Sequence, residues 1–173
     1  MPESIAETAR DDEVRAALGE TLESPPPLID EAAAAELVRR HYGLGAEART
    51  IACERDANFQ MTAEDGRNFT LKVSNPGEPA VNTNFQTEAI LWLERVDPGL
   101  PVPKVVRALD GQSEFPLRMA DGRTSIVRML TWLDGVPVVR VGVSAALRRD
   151  MGRTLARLGA ALRDFDHPGA SHD

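Results

Sequence analysis

Lys72 and Glu88 are the residues of this sequence whose types and surroundings could do chemistry. Lys72 stands in the apolar, strand-like run Thr70-Leu71-Lys72-Val73. An ammonium there stays in water, guards a sheet edge, or faces an anion across a polar cleft. Glu88 follows Phe85 by three residues and precedes Trp92 by four, so it falls inside the apolar sector of a helical pattern, whereas Glu94 falls opposite. Such a carboxylate either snorkels to water from the margin of the stripe or turns inward to a partner. The sharper reading pairs it with Lys72 in a partly buried cleft.

A hairpin and a helix must position these two groups. Asp65-Gly66 is a two-residue turn signal, flanked by Phe59, Met61 and Ala63 on one arm and by Phe69, Leu71 and Val73 on the other. Those six residues predict one apolar face. Asn68, Thr70, Lys72 and Ser74 then point the opposite way, toward solvent or a polar cleft. A preceding strand over 49–54 makes three antiparallel strands. Over 82–96 the residues Phe85, Ala89, Trp92 and Val96 recur at helical spacing, predicting a helix that lays this stripe on the sheet.

The remaining elements frame that unit. Asp30 as N-cap and Gly43 as stop predict a helix over 31–42, with His41 and Tyr42 as packing groups. After the stop at 97–103, strands are expected over 104–109, 114–119 and 123–130, the last two joined by Asp121-Gly122. Residues 131–137 read as an ordered connector. Ser144 caps a long helix with a stripe of Leu147, Met151, Leu155, Leu158, Leu162 and Phe165, and with a solvated arginine face of Arg148, Arg149, Arg153, Arg157 and Arg163. That stripe exceeds what a small sheet domain covers, so the chain reads as a fragment. The fold class expected is α+β with about five antiparallel strands, divided into a polar tail and Pro-rich spacer (1–29), a lobe (30–135), and a linker with the start of a further unit (136–173).

Composition sets the outer limits. A chain of 173 residues, 42% hydrophobic and 5% aromatic, suits one ordinary globular domain. A net charge of -7 argues against a nucleic-acid surface, which needs clustered Lys and Arg. One cysteine permits no internal disulfide, and Cys53 beside a strand reads as a small buried or half-buried residue without a catalytic role. No basic-then-apolar leader and no apolar run near the ~18 residues of a membrane span is present, so no membrane is expected and a cytoplasmic location is.

In order and spacing the segments resemble the aminoglycoside phosphotransferase and choline kinase-like small-molecule kinases, which share the protein-kinase architecture. The resemblance covers about residues 30 to 166 and rests on E-R-D-A-N-F (54–59), T-L-K-V (70–73), T-E-A-I-L-W-L (87–93), L-P-V-P-K-V (100–105) and M-L-T-W-L-D-G (129–135). The S-N after the lysine and the glycine-poor, acidic loop look most like hydroxylysine-kinase-type and homoserine-kinase-like sequences, also found as the N-terminal part of proteins ending in a class III, pyridoxal-phosphate-dependent aminotransferase.

The resemblance implies an N-lobe that holds ATP with Mg2+ and positions it for transfer to a small-molecule hydroxyl. Lys72 would pair the α and β phosphates, Glu88 would hold Lys72, and backbone N–H groups at Asp56, Ala57 and Asn58 would cover the phosphates. Thr70 and the hinge backbone at Met129, Leu130, Thr131 and Trp132 would contact adenine. The sequence departs from the family pattern in two ways. The loop has no glycine and carries the negative Asp56. The catalytic aspartate loop and metal-binding aspartate, which the family keeps in a C-terminal lobe, have no counterpart after Phe165, since His172-Asp173 comes too late. Two other readings stay open: a degenerate regulatory or interaction module, and an unrelated α+β binding domain in which Lys72 and Glu88 stand apart.

Overall fold

The computed structural model describes residues 24–170. The expected polar tail before Ser24 and the His172-Asp173 pair lie outside the described residues. Among the described residues six strands form one antiparallel sheet, β1 (Ala46–Ile51), β2 (Ala57–Ala63), β3 (Asn68–Val73), β4 (Val105–Val106), β5 (Phe115–Arg118) and β6 (Thr124–Thr131). Their order is β1-β2-β3-β6-β4, with β5 hairpinned onto β6. Helix α1 (Glu31–Tyr42) precedes the sheet, α2 (Ala80–Val96) crosses between β3 and β4, and α3 (Ala145–Ala161) follows β6.

The hairpin at the centre forms because its alternation and its turn agree. Gly66 and Gly122 take φ of 83° and 86°, a region that burdens any residue with a Cβ. Asp65 and Asp121 brace the turns in the same way, each carboxylate accepting from the backbone N–H two residues on, at 3.0 and 2.9 Å. Arg67 and Arg123 close each turn with a guanidinium contact at 2.7 and 2.8 Å. Beyond the turns, Phe59, Met61, Phe69, Leu71, Val73, Val127 and Met129 are all no more than 6% exposed and pack against Ala34, Val38 and Tyr42 of α1. Helix α1 is set by its caps: Asp30 Oδ1 accepts from Ala33 N at 2.8 Å, and Gly43, at φ 67°, donates to Arg39 O. His41 stacks on Phe115 with ring centroids 4.1 Å apart, the packing role expected of it.

Three expectations are corrected here. The first strand covers 46–51 rather than 49–54, because Ala46 pairs with Ala63 at the far end of β2 and the register then runs out at Ile51. Helix α1, not α2, covers the apolar face of the sheet. The stripe on α2 turns instead to the C-terminal segment: Phe85 and Trp92 each lie 5.7 Å from the ring of Phe165, Trp92 Nε1 donates to Ala161 O at 2.8 Å, and Val96 is exposed. The arginine face of α3 is only partly solvated, since Arg157 forks onto Asp97 at 2.8 Å.

Helix α3 is capped by Ser144, whose Oγ accepts from Leu147 N, and of its residues Ala161 alone is buried. Met151 and Leu155 are 44% and 64% exposed. Leu71→Ala should therefore cost about 2–5 kcal/mol in urea unfolding, whereas Leu155→Ala should stay within about 0.5 kcal/mol. A pH effect follows from the turns. The Arg67 N–H, and then its guanidinium, hold Asp65 below the usual carboxylate range, and the Arg123 guanidinium and N–H do the same for Asp121. A carboxyl with a depressed folded pKa contributes stability above its unfolded pKa, near pH 4, and that contribution fades as pH falls through the folded value. The Asp65→Asn, Asp121→Asn double variant should thus show a shallower loss of stability than the wild type between about pH 4 and pH 2.

Candidate active site cleft

Register builds the site. Ile51, Asn58, Lys72 and Arg128 form one row across β1, β2, β3 and β6, and Arg49, Gln60, Thr70 and Leu130 form the next. Alternation places both rows on the face away from α1. Beside the first row opens a cleft of about 470 Å³, walled by the loop before β2, the start of α2 and the sheet, with Lys72 and Arg128 in its lining. Arg55, Asp56 and Glu78 line it too, as does Cys53. Cys53 is exposed, contrary to expectation, because β1 ends at Ile51 and the chain leaves the sheet before reaching it.

Lys72 and Glu88 are not brought together. Lys72 Nζ lies 3.8 Å from Asp56 Oδ2, with the two side chains 28% and 29% exposed. Glu88 is half-buried in a different hollow, lined also by Trp92, Arg95, Phe165, Asp166 and His167. The cause is the rotation of α2, which turns Thr83 and Thr87 to the sheet and carries Glu88 around toward the C-terminal segment. Asp56 is held in place by its other oxygen, which accepts from Asn75 N at 3.0 Å. Asn75, 1% exposed, donates from Nδ2 to Ser24 O and Arg55 O at 2.9 and 3.0 Å and accepts from Gly77 N at 2.8 Å. That side chain ties the loop before β2 to the end of β3.

The other expected contact residues are distributed along the same face and its rim. Ala57 and Asn58 are the first residues of β2, paired with Val73 and Lys72, so the overhanging loop is 52–56 and contributes Asp56 alone of the three. Thr70 sits on the Lys72 face beside Leu130. Met129 buries its side chain fully in the core on the far face. Thr131 and Trp132 spend their backbone N–H groups on Lys104 O and Asn68 O, at 2.9 and 3.3 Å, so at these two positions a base would meet carbonyls and side chains.

Sequence reasoning missed Arg128. It is 5% exposed, and its guanidinium donates to Thr83 O and Thr87 Oγ1 at 2.8 and 2.9 Å and to Gln86 Oε1. Burial pulls its pKa below the ordinary guanidinium value, opposed by the charges of Glu114 and Asp56. The signal was present: an arginine inside the apolar run Ser125-Ile126-Val127-Arg128-Met129-Leu130 is buried only when richly partnered.

Antiparallel sheet, crossing helix and strand lysine define a kinase-like N-lobe. The solved structures it is similar to include an amicoumacin kinase in complex with AMP-PNP and Ca2+ (TM-score 0.63, 16% identity, covering 91% of this chain and 44% of that one). They also include a microcompartment-associated aminopropanol kinase (TM-score 0.62, 19% identity, 82% and 45% covered). Residues 47–172 match the phosphotransferase enzyme family, and the chain belongs to that family. It is similar to the hydroxylysine kinase of Danio rerio, 30% identical over 155 residues, and to that of Mus musculus, 29% identical over 162, in each case over 86% of this chain. The chain spans 42% of the length of these relatives.

At nearly a third exposed each, Lys72 and Asp56 should couple by no more than about 1 kcal/mol in a double-mutant cycle, and Lys72→Met with Glu88→Gln should be additive. Asn75→Ala should cost about 1–3 kcal/mol in the same urea series, because it strands buried backbone groups.

Proposed function

We propose that this chain is the ATP-binding lobe of a small-molecule phosphotransferase, a kinase whose acceptor is an amino-alcohol-type hydroxyl, hydroxylysine-like, homoserine-like or aminoglycoside-like. The observation that carries this is Lys72, held over a cleft on the polar face of a kinase-like sheet in a chain of the phosphotransferase family. The names of the relatives supply the acceptor class. The donor set of the cleft fits a phosphate chain once the Asp56 carboxylate gives way, since that group occupies the ammonium as a phosphate oxygen would. ATP with Mg2+ supplies the phosphoryl group and offsets its charge. Lys72 binds the phosphates, residues 52–56 overhang them, and Thr70 with the 129–132 backbone borders the base. The catalytic base, the metal-holding aspartates and most of the acceptor pocket are assigned to the part of the relatives that this chain does not span, and the location of the whole to the cytoplasm.

A second reading, a regulatory or interaction module within a larger protein such as an aminotransferase fusion, is favoured by the glycine-free loop and by Asp56 already occupying Lys72. Titration with mant-ATP and Mg2+ separates the two. The kinase-lobe reading expects saturable binding, weakened about tenfold or more by Lys72→Met and strengthened severalfold by Asp56→Asn, with no phosphoryl transfer by this chain alone. Absence of saturable binding in both the wild type and Asp56→Asn would leave the module reading standing.

A further inference from the structure

We propose that Arg128 is the positioning residue that fixes α2 against the sheet and so sets the cleft in which Lys72 works. The inference rests on the nucleotide-lobe reading for its second half only.

The geometry is that of a clamp. Arg128 is the cross-strand partner of Lys72, so both side chains rise from the same row of the sheet. Its fork takes three acceptors from little more than one turn of α2, at Thr83, Gln86 and Thr87. Thr87 Oγ1, accepting from Arg128, donates in turn to Glu114 Oε2. The other Glu114 oxygen accepts from Asn84 Nδ2 at 2.9 Å, and Asn84 Oδ1 meets His167 Nε2 at 3.0 Å. A buried cation is thereby linked to its counter-charge through a helix hydroxyl, and the linkage continues to the turn that packs on the far side of α2. Thr83 and Thr87 are the residues α2 buries in this half, so the helix presents polar groups to the sheet rather than an apolar stripe. The three acceptors are divided between two nitrogens of the fork, Nη1 for Thr83 and Thr87 and Nη2 for Gln86; an ammonium keeps the charge but gathers its donors on one nitrogen and loses that geometry.

Arg128→Lys is therefore the discriminating change. In hydrogen exchange of the 173-residue chain, amides of residues 83–90 should exchange about tenfold faster or more, while those of 124–131 keep their protection. In mant-ATP titration the same variant should raise Kd about tenfold with the number of sites unchanged, and Thr87→Val should reproduce part of the rise. Leu71→Ala, which destabilises the core without touching the clamp, should lower the number of sites and leave Kd alone. For Arg128→Ala, added methylguanidinium should restore affinity. Unchanged exchange over 83–90 in Arg128→Lys overturns the anchor. Faster exchange with unchanged Kd overturns its role in the cleft. A wild-type chain that binds no mant-ATP defeats the nucleotide reading instead, and the exchange result then decides the anchor by itself.

Discussion

Strict alternation along β3 and β6 is the constraint on which the rest of the structure depends. Adjacent rows of the sheet are unlike: Phe69, Leu71, Val73, Val127 and Met129 make a dry face, and Thr70, Lys72, Arg128 and Leu130 make its reverse. A one-residue slip would exchange the two faces, so the register cannot drift without burying Lys72 in the core. The dry face is closed by α1 through Ala34, Val38 and Tyr42. The reverse face needs a helix that offers hydrogen-bond acceptors, because a guanidinium removed from water is costly until each of its donors is engaged. The second helix meets most of that need with Thr83, Gln86 and Thr87, which take up Nη1 and Nη2, while Arg128 Nε finds no acceptor among the described residues.

The central hairpin and α1 were legible in the sequence because their signals are local: an Asp-Gly turn with alternating arms, and an Asp cap with a glycine stop. The α2 helix was legible as a helix, but its orientation was not. Phe85 and Trp92 do form a stripe, yet a helical wheel cannot say whether the stripe meets the sheet or the segment around Phe165. That choice is made by Arg128, which reaches Thr87 across 41 positions of the chain. Glu88 was misplaced for the same reason, one residue of rotation away from the buried Thr87. Lys72 was placed on the right strand face, and its partner Asp56 was noted in the loop, although the two were not joined. The first strand was read three residues late because Ala46, Glu47 and Ala48 carry no β-branched signal, and pairing with β2 overrides their weak preference.

The electrostatics of the cleft differ from those of an open phosphate cradle. Lys72, Arg55 and Arg128 share its lining with Glu54, Asp56 and Glu78, and Arg55 lies 3.4 Å from Glu78. An incoming polyanion meets cations that already have partners, so affinity depends on how readily Asp56 yields and how firmly Asn75 holds it. A glycine-rich loop would offer backbone donors without such competition. The family relationship and this internal pairing are compatible, since the pair is weak enough to exchange.

The β3–β6 pairing has a consequence for how the molecule assembles. Phe69 and Thr131 lie side by side although 61 residues separate them, whereas β2 and β3 are joined by a tight turn. Non-local strand pairing must overcome the closure entropy of the intervening chain before any contact rewards it, which slows it relative to hairpin formation. The α1–β3 segment can condense early around its own apolar face. Lys72 and Arg128 become neighbours only when the later strand docks, so the cleft is among the last features of the sheet to exist, and an interruption anywhere between β3 and β6 leaves a folded hairpin that has no site.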